Sequence, residues 1–138
     1  MEFVVKLVPD DGSYMVTCAE VPEFLSTGDT PEAALKDAVD GLETALMIYV
    51  ADRRPIPTPR RARKGELTVA LPAQAVVKAM LHNELLSQGV KKAELACRLG
   101  GLSGSQVERL FDMKHATKLA SLEAAAQAMG KRLTLHMA

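Results

Sequence analysis

The stretch 94-ELACRLGGLSGSQVERLFD-112 decides how the second half of this chain is read. A short helical pattern runs into Gly100-Gly101, and a second begins at Ser103, a residue type suited to capping a helix start. Two helices that cross steeply need a small residue where their backbones approach, and Ala96 occupies that place. They also need a turn residue that tolerates positive φ, which the glycines supply. Leu102 is expected to plug the corner, with Val107 and Leu110 anchoring the second helix. The pattern is that of a helix-turn-helix, with one departure. Counted from Ala96, the apolar positions after the turn fall one residue late, so the second glycine is expected to lengthen the turn.

Working outward, 73-AQAVVKAMLHNELLSQG-89 predicts a helix with Val76, Val77, Met80, Leu81 and Leu85 on one side. In 91-KKAELACRLGG-101, Leu95 and Leu99 are expected to point inward. After the corner, Val107, Leu110 and Phe111 do the same. A further helix over 118-KLASLEAAAQAMG-130 is capped by Gly130, and 132-RLTLHM-137 alternates as a short strand. His82 and His136 read as structural or surface residues.

The first half has a different character. The runs 2-EFVVKLV-8 and 14-YMVTCAEV-21 flank a Pro/Asp/Gly turn and predict a β-hairpin, with Phe3, Val5 and Leu7 on one face and Tyr14, Val16 and Cys18 on the partner's. A third short strand ends near Gly28. Asp29 or Thr30 then caps a helix that has Pro31 at its first position and Glu32 in its first turn. Leu35, Ala38, Val39, Leu42, Leu46 and Tyr49 form its apolar stripe, and Gly41 in its middle implies a close approach to a strand. The end of that helix, 45-ALMIYV-50, is apolar all round, so it lies under the following strand or serves a partner surface. Three prolines at 55, 57 and 59 predict an extended path, and 66-ELTVALP-72 a strand returning to the first sheet. The order is ββ(β)αβ.

Composition narrows the function classes. The 138 residues are 48% apolar and 25% charged, as in a globular chain of one or two small domains. Cys18 and Cys97 stand in unlike contexts, without ligand spacing, so neither a zinc site nor a disulfide framework is expected. No apolar run is long enough for a membrane span, and Glu2 stands where a signal peptide would be basic; a cytoplasmic protein with no membrane association is expected. Glu32, Asp40 and Glu43 spread along a solvated helix face that also carries Lys36. They do not converge as two-metal nuclease chemistry needs. No enzyme activity and no cofactor are expected.

Net charge is zero, but the charges are segregated. Residues 1–52 hold eleven acids against Lys6 and Lys36, a net −9; residues 53–64 carry six bases and no acid. Residues 72–138 hold nine bases and five acids, a net +4. Such asymmetry is expected when one half meets a polyanion and the other a different partner. The basic stretch 53-RRPIPTPRRARK-64 reads either as a solvated connector or as a loop that touches nucleic-acid phosphate. On the helix-turn-helix reading, Ser103, Ser105, Gln106, Arg109, Lys114, His115 and Lys118 are candidate contacts to phosphates and bases. Lys91 and Lys92 are candidates for backbone phosphate, because they oppose the dipole of their own helix. A single motif of this size works as a dimer on two half-sites, and the terminal alternating strand, with Leu133, Leu135 and Met137 on one face, is a candidate to pair a second chain.

Taken together, the blocks 10-DDGSYMVTC-18, 21-VPEFLSTGDTPEAALKDAVDGLETAL-46, 56-IPTP-59, 94-ELACRLGG-101 and 107-VERLFDMKHATKLASLEAAAQAMGKRLTL-135 resemble a HicB-type antitoxin with an XRE-like C-terminal segment. The resemblance spans nearly the whole chain. It implies an α+β protein: a small, partial RNase H-like N-terminal domain over 1–71 that lacks nuclease carboxylates, with 53–65 as its basic Pro-rich connector loop. A helical DNA-binding and dimerisation domain ending in a short strand would occupy 72–138. It further implies two partners, a small basic mRNA-cleaving toxin of HicA type bound by the first domain, and double-stranded operator DNA bound by the second. A homodimer or higher homo-oligomer follows from the second domain. The rival reading is a stand-alone helix-turn-helix transcription regulator whose N-terminal domain senses a small ligand.

Overall fold

A computed structural model describes residues 1–138 and divides them into two compact units, one of residues 1–52 and 56–72, the other of 53–55 and 73–138. The protein is mixed α+β, a four-stranded antiparallel sheet and five helices.

In the first unit, β1 (Glu2–Asp10) and β2 (Ser13–Thr17) form the expected hairpin; β3 (Leu25–Gly28), α1 (Pro31–Ala51) and β4 (Leu67–Ala70) follow. The sheet order is β3-β2-β1-β4. The register divides β1 between two neighbours: Lys6 to Asp10 pair with β2 from Thr17 to Ser13, whereas Glu2 to Val5 pair with β4 from Ala70 to Leu67. Phe3, Val5, Val16 and Cys18 are buried as expected, but Val4 is buried too, and Leu7 and Tyr14 are only half-buried, so the alternation holds in part. Thr30 caps α1, its hydroxyl accepting from the Ala33 N–H at 3.1 Å, with Pro31 following as the first helical residue. A Cβ on Gly41 would lie 3.2 Å from the Phe24 ring, which is the close approach expected at the entry to β3. The buried stripe is rotated from the expected one. Ala34, Ala38, Leu42, Ala45, Leu46, Tyr49 and Val50 are covered, while Leu35 and Val39 are only half-buried. Small residues let α1 sit close to the sheet, so the bulkier Leu35 and Val39 flank the seam instead of filling it.

The second unit contains α2 (Ala73–Ser87), α3 (Lys92–Arg98), α4 (Gly104–Arg109) and α5 (Leu119–Ala128). Its core is Val77, Leu81, Leu85, Leu95, Val107, Leu110, Phe111, Leu122 and Met129. Leu99 and Val76, expected inside, are half-buried. Met80 departs from expectation outright, 52% exposed, because the wall of α2 facing the core takes Lys78 and His82 instead. Both polar side chains are buried, at 0% and 1% exposure.

The terminal segment also departs from expectation. Residues 131–138 form no strand, and Leu135 and Met137 are 64% and 94% exposed. Alternation makes a segment competent for a sheet, but a strand exists only where a second strand accepts its hydrogen bonds, and this chain offers none there.

Candidate nucleic-acid interface

The corner between α3 and α4 is built from three local devices. Leu99 ends α3, and Gly100 follows at φ +89°; its N–H donates to the Cys97 carbonyl while the Gly101 N–H donates to the Ala96 carbonyl at 2.9 Å. That pairing closes the last turn of the helix and places Gly100 where a side chain would clash with its own backbone. Gly101 is left-handed too, at φ +88°, and the Leu102 N–H donates to the same Ala96 carbonyl at 3.1 Å. Two successive left-handed glycines therefore make the turn. Finally, Ser103 and Gln106 form a capping box at the start of α4. The Ser103 hydroxyl accepts from the Gln106 N–H at 3.2 Å, and the Gln106 side-chain oxygen accepts from the Ser103 N–H at 2.8 Å.

The capping box bears on the candidate contacts. Gln106 is exposed, but its oxygen is committed to the cap, which leaves the amide NH2 as its outward polar end. Ser103 is likewise engaged as the cap, 3.3 Å from the Ser105 hydroxyl. Arg109 is exposed at the end of α4. A surface groove of about 270 Å³ beyond it is lined by Gln106, Arg109, His115, Thr117, Lys118 and Ser121, among others. Four of the nine candidate residues therefore share one groove.

The remaining candidates lie apart from it. Lys91 is the N-terminal boundary residue of α3 and makes no side-chain cap. Lys92 is not a free phosphate donor. Its ammonium bridges to the Glu108 carboxylate at 3.0 Å and stands 5.3 Å from the centre of the Phe111 ring, tying α3 to α4. Lys114 is exposed, in a turn whose backbone N–H bonds the Asp112 carboxylate at 3.0 Å.

What holds the groove is a pair of residues that were not among the candidates. The buried Lys78 ammonium donates to the carbonyls of Arg109 (2.8 Å), Asp112 (2.7 Å) and His115 (2.6 Å), and to the Thr117 hydroxyl (2.8 Å). Gln74, one turn earlier on α2, donates to the His115 carbonyl and accepts from the Thr117 N–H, both at 2.7 Å. The segment from Arg109 to Thr117 has little regular structure of its own, and α2 supplies its hydrogen bonds. Burial pushes the Lys78 ammonium down from its usual value, with Asp112 opposing. The sequence carried only a faint trace of this, in that Lys78 shares a helical phase with Leu81 and Leu85.

His82 is the second buried polar group on α2. Its Nε2–H donates to the Arg54 carbonyl at 2.8 Å, whereas Nδ1 is buried without a partner. Burial lowers its pKa, since a proton on Nδ1 would be a sealed donor with nothing to accept it.

In the first unit, no three His, Cys, Asp or Glu side chains gather as a metal site would need, and Glu32 and Asp40 lie exposed along α1. No helix is long and apolar enough to cross a membrane. The connector, read either as solvated or as a phosphate-touching loop, keeps most of its charged residues exposed but is anchored at two points. Ile56 is buried, and the Glu20 carboxylate accepts from the Arg60 N–H at 3.0 Å.

The profile of a family described as the HicB-like antitoxin of bacterial toxin-antitoxin systems matches residues 2–80. Antitoxin HicB of Pseudomonas fluorescens (strain Pf0-1) is 44% identical over 137 residues, covering 99% of this chain and 93% of that protein. Antitoxin HicB 2 of Photorhabdus laumondii subsp. laumondii is 40% identical over 135 residues, 98% and 95% of the two chains. Antitoxin HicB of Escherichia coli (strain K12) is 36% identical over 138 residues, 99% of each. The chain belongs to the HicB-like antitoxin family of bacterial toxin-antitoxin systems.

Proposed function

We propose that this antitoxin works by binding at both ends: residues 1–71 neutralise a small, HicA-type mRNA-cleaving toxin, and residues 72–138 repress its own operon through operator DNA. The observation that carries the DNA half is the groove beyond the glycine corner. There Gln106, Arg109, His115 and Lys118 present amide, guanidinium, imidazole and ammonium groups from a segment fixed by Lys78 and Gln74. Amide and guanidinium side chains at the exposed end of a recognition helix suit base edges, and the cations suit phosphate. The net −9 of residues 1–52 supports the toxin half, because a protein that cleaves RNA must carry a basic face, and opposite charge speeds the encounter. Two copies acting together, paired through residues 131–137, would bring two recognition helices to two half-sites.

Fluorescence anisotropy with labelled duplex DNA from immediately upstream of the coding region tests the DNA half. Arg109→Ala is expected to weaken that duplex about tenfold or more while changing affinity for an unrelated duplex much less. Equal losses on both would assign Arg109 to phosphate rather than to bases. No binding by the unaltered chain would overturn operator recognition.

A further inference from the structure

The connector between α1 and β4 carries six bases, and the structure treats them unequally. The Glu66 carboxylate takes the Arg60 guanidinium with both oxygens, at 2.8 and 2.5 Å, and also accepts from the Arg63 N–H at 2.6 Å. The Glu66 N–H returns to the Arg63 carbonyl at 3.1 Å, and Glu20 holds the Arg60 N–H. The segment 60–66 is thus a closed loop with one carboxylate at its hub. The Arg60 guanidinium beside Glu66, with the Arg63 N–H, holds that carboxyl down to about 2. Arg60 alone forms an ion pair with it, and the Arg63 charge acts on it only at longer range. Arg61, Arg63 and Lys64 are exposed, their side chains have no ion pair, and they stand within four residues of one another.

Three unpaired like charges on a fixed turn repel one another, and an anion of matching spacing relieves the repulsion. Fixing the turn beforehand removes the ordering cost that a flexible basic tail pays on binding. We propose that Arg61, Arg63 and Lys64 form a preorganised arm that grips the phosphate backbone of duplex DNA, independently of sequence, while α4 reads its bases. The inference rests on the DNA reading above. It adds a second contact surface from outside the helical unit. Because both surfaces belong to one chain, the second contact is intramolecular once the first has formed.

The test is a salt titration of the full chain on the upstream duplex, on an unrelated duplex of equal length and on single-stranded RNA of that length. Each phosphate contact on duplex DNA contributes about 0.9 to the slope of log affinity against log salt. The R61A/R63A/K64A variant is expected to flatten that slope by about 2 to 3 on both duplexes, leaving the preference for upstream DNA intact. The R60A/E66A variant keeps the three cations and the net charge but opens the hub. It is expected to keep the slope and lose affinity several-fold. Unchanged slopes for the triple variant, while Arg109→Ala still weakens the upstream duplex, would overturn the arm and spare the DNA reading. Loss confined to RNA would overturn it too, and no duplex binding by the unaltered chain would overturn both.

Discussion

Lys78 illustrates how one side chain can decide the geometry of a site it never enters. Its ammonium is fully buried, yet every hydrogen meets an oxygen, and three of the four acceptors are carbonyls at the end of α4 and in the turn beyond. Lys78→Met keeps the bulk and strands those carbonyls, so the expected cost is about 2–4 kcal/mol in a urea unfolding curve. Affinity for upstream DNA should fall with it, as the groove loosens. A cost below about 0.5 kcal/mol would show that the carbonyls find other partners. His82 gives a pH signature at the same scale. Its folded pKa lies below the unfolded value of about 6.5, so the unfolded chain binds a proton that the folded chain refuses. Its contribution is fully present above pH 6.5 and is lost as pH falls below that value. Comparing urea midpoints at pH 7.5 and 5.5, His82→Gln is expected to show a smaller acid-induced fall than the unaltered chain. An identical pH dependence in both proteins would contradict the account.

Among the elements, those punctuated by local chemistry were legible in the sequence. Thr30 and Pro31 start α1, Ser103 starts α4, and Gly89, Gly100 and Gly130 each follow the end of a helix in the left-handed region; the Gln106 half of the α4 capping box was not read from the sequence. Gly100→Ala is expected to cost about 1–2 kcal/mol, measured by thermal or urea unfolding, because a Cβ at φ +89° meets its own backbone. A neutral result would mean that the corner can relax to another turn. Elements set by distant contacts were not legible. Lysine at helical spacing reads as solvated until the carbonyls opposite it are known, so Lys78 was passed over. The bridge that occupies Lys92 joins residues sixteen apart, and pattern within one helix does not show it. The end of the chain fails for the converse reason. The alternation in 132-RLTLHM-137 is real, but it records what the segment can pair with, not whether a partner lies within reach.

For the whole molecule, zero net charge conceals an acidic half, a basic turn and a mildly basic half, and the proposed partners divide along those lines. The account also makes the exposed tail a pairing surface. Truncation after Gly130 is expected to convert a dimer into a monomer in sedimentation experiments, whereas a stable truncated dimer would place the contact elsewhere. The central claim is that this antitoxin has a small protein as its cognate partner. The most direct measurement is to purify the tagged full chain from its native cells and to identify, by mass spectrometry, what accompanies it in stoichiometric amount. The account expects one basic protein of well under 100 residues, whose RNA-cleaving activity stops when this chain is added. Recovery of the chain with no small protein, or with one whose cleavage continues in its presence, would contradict it.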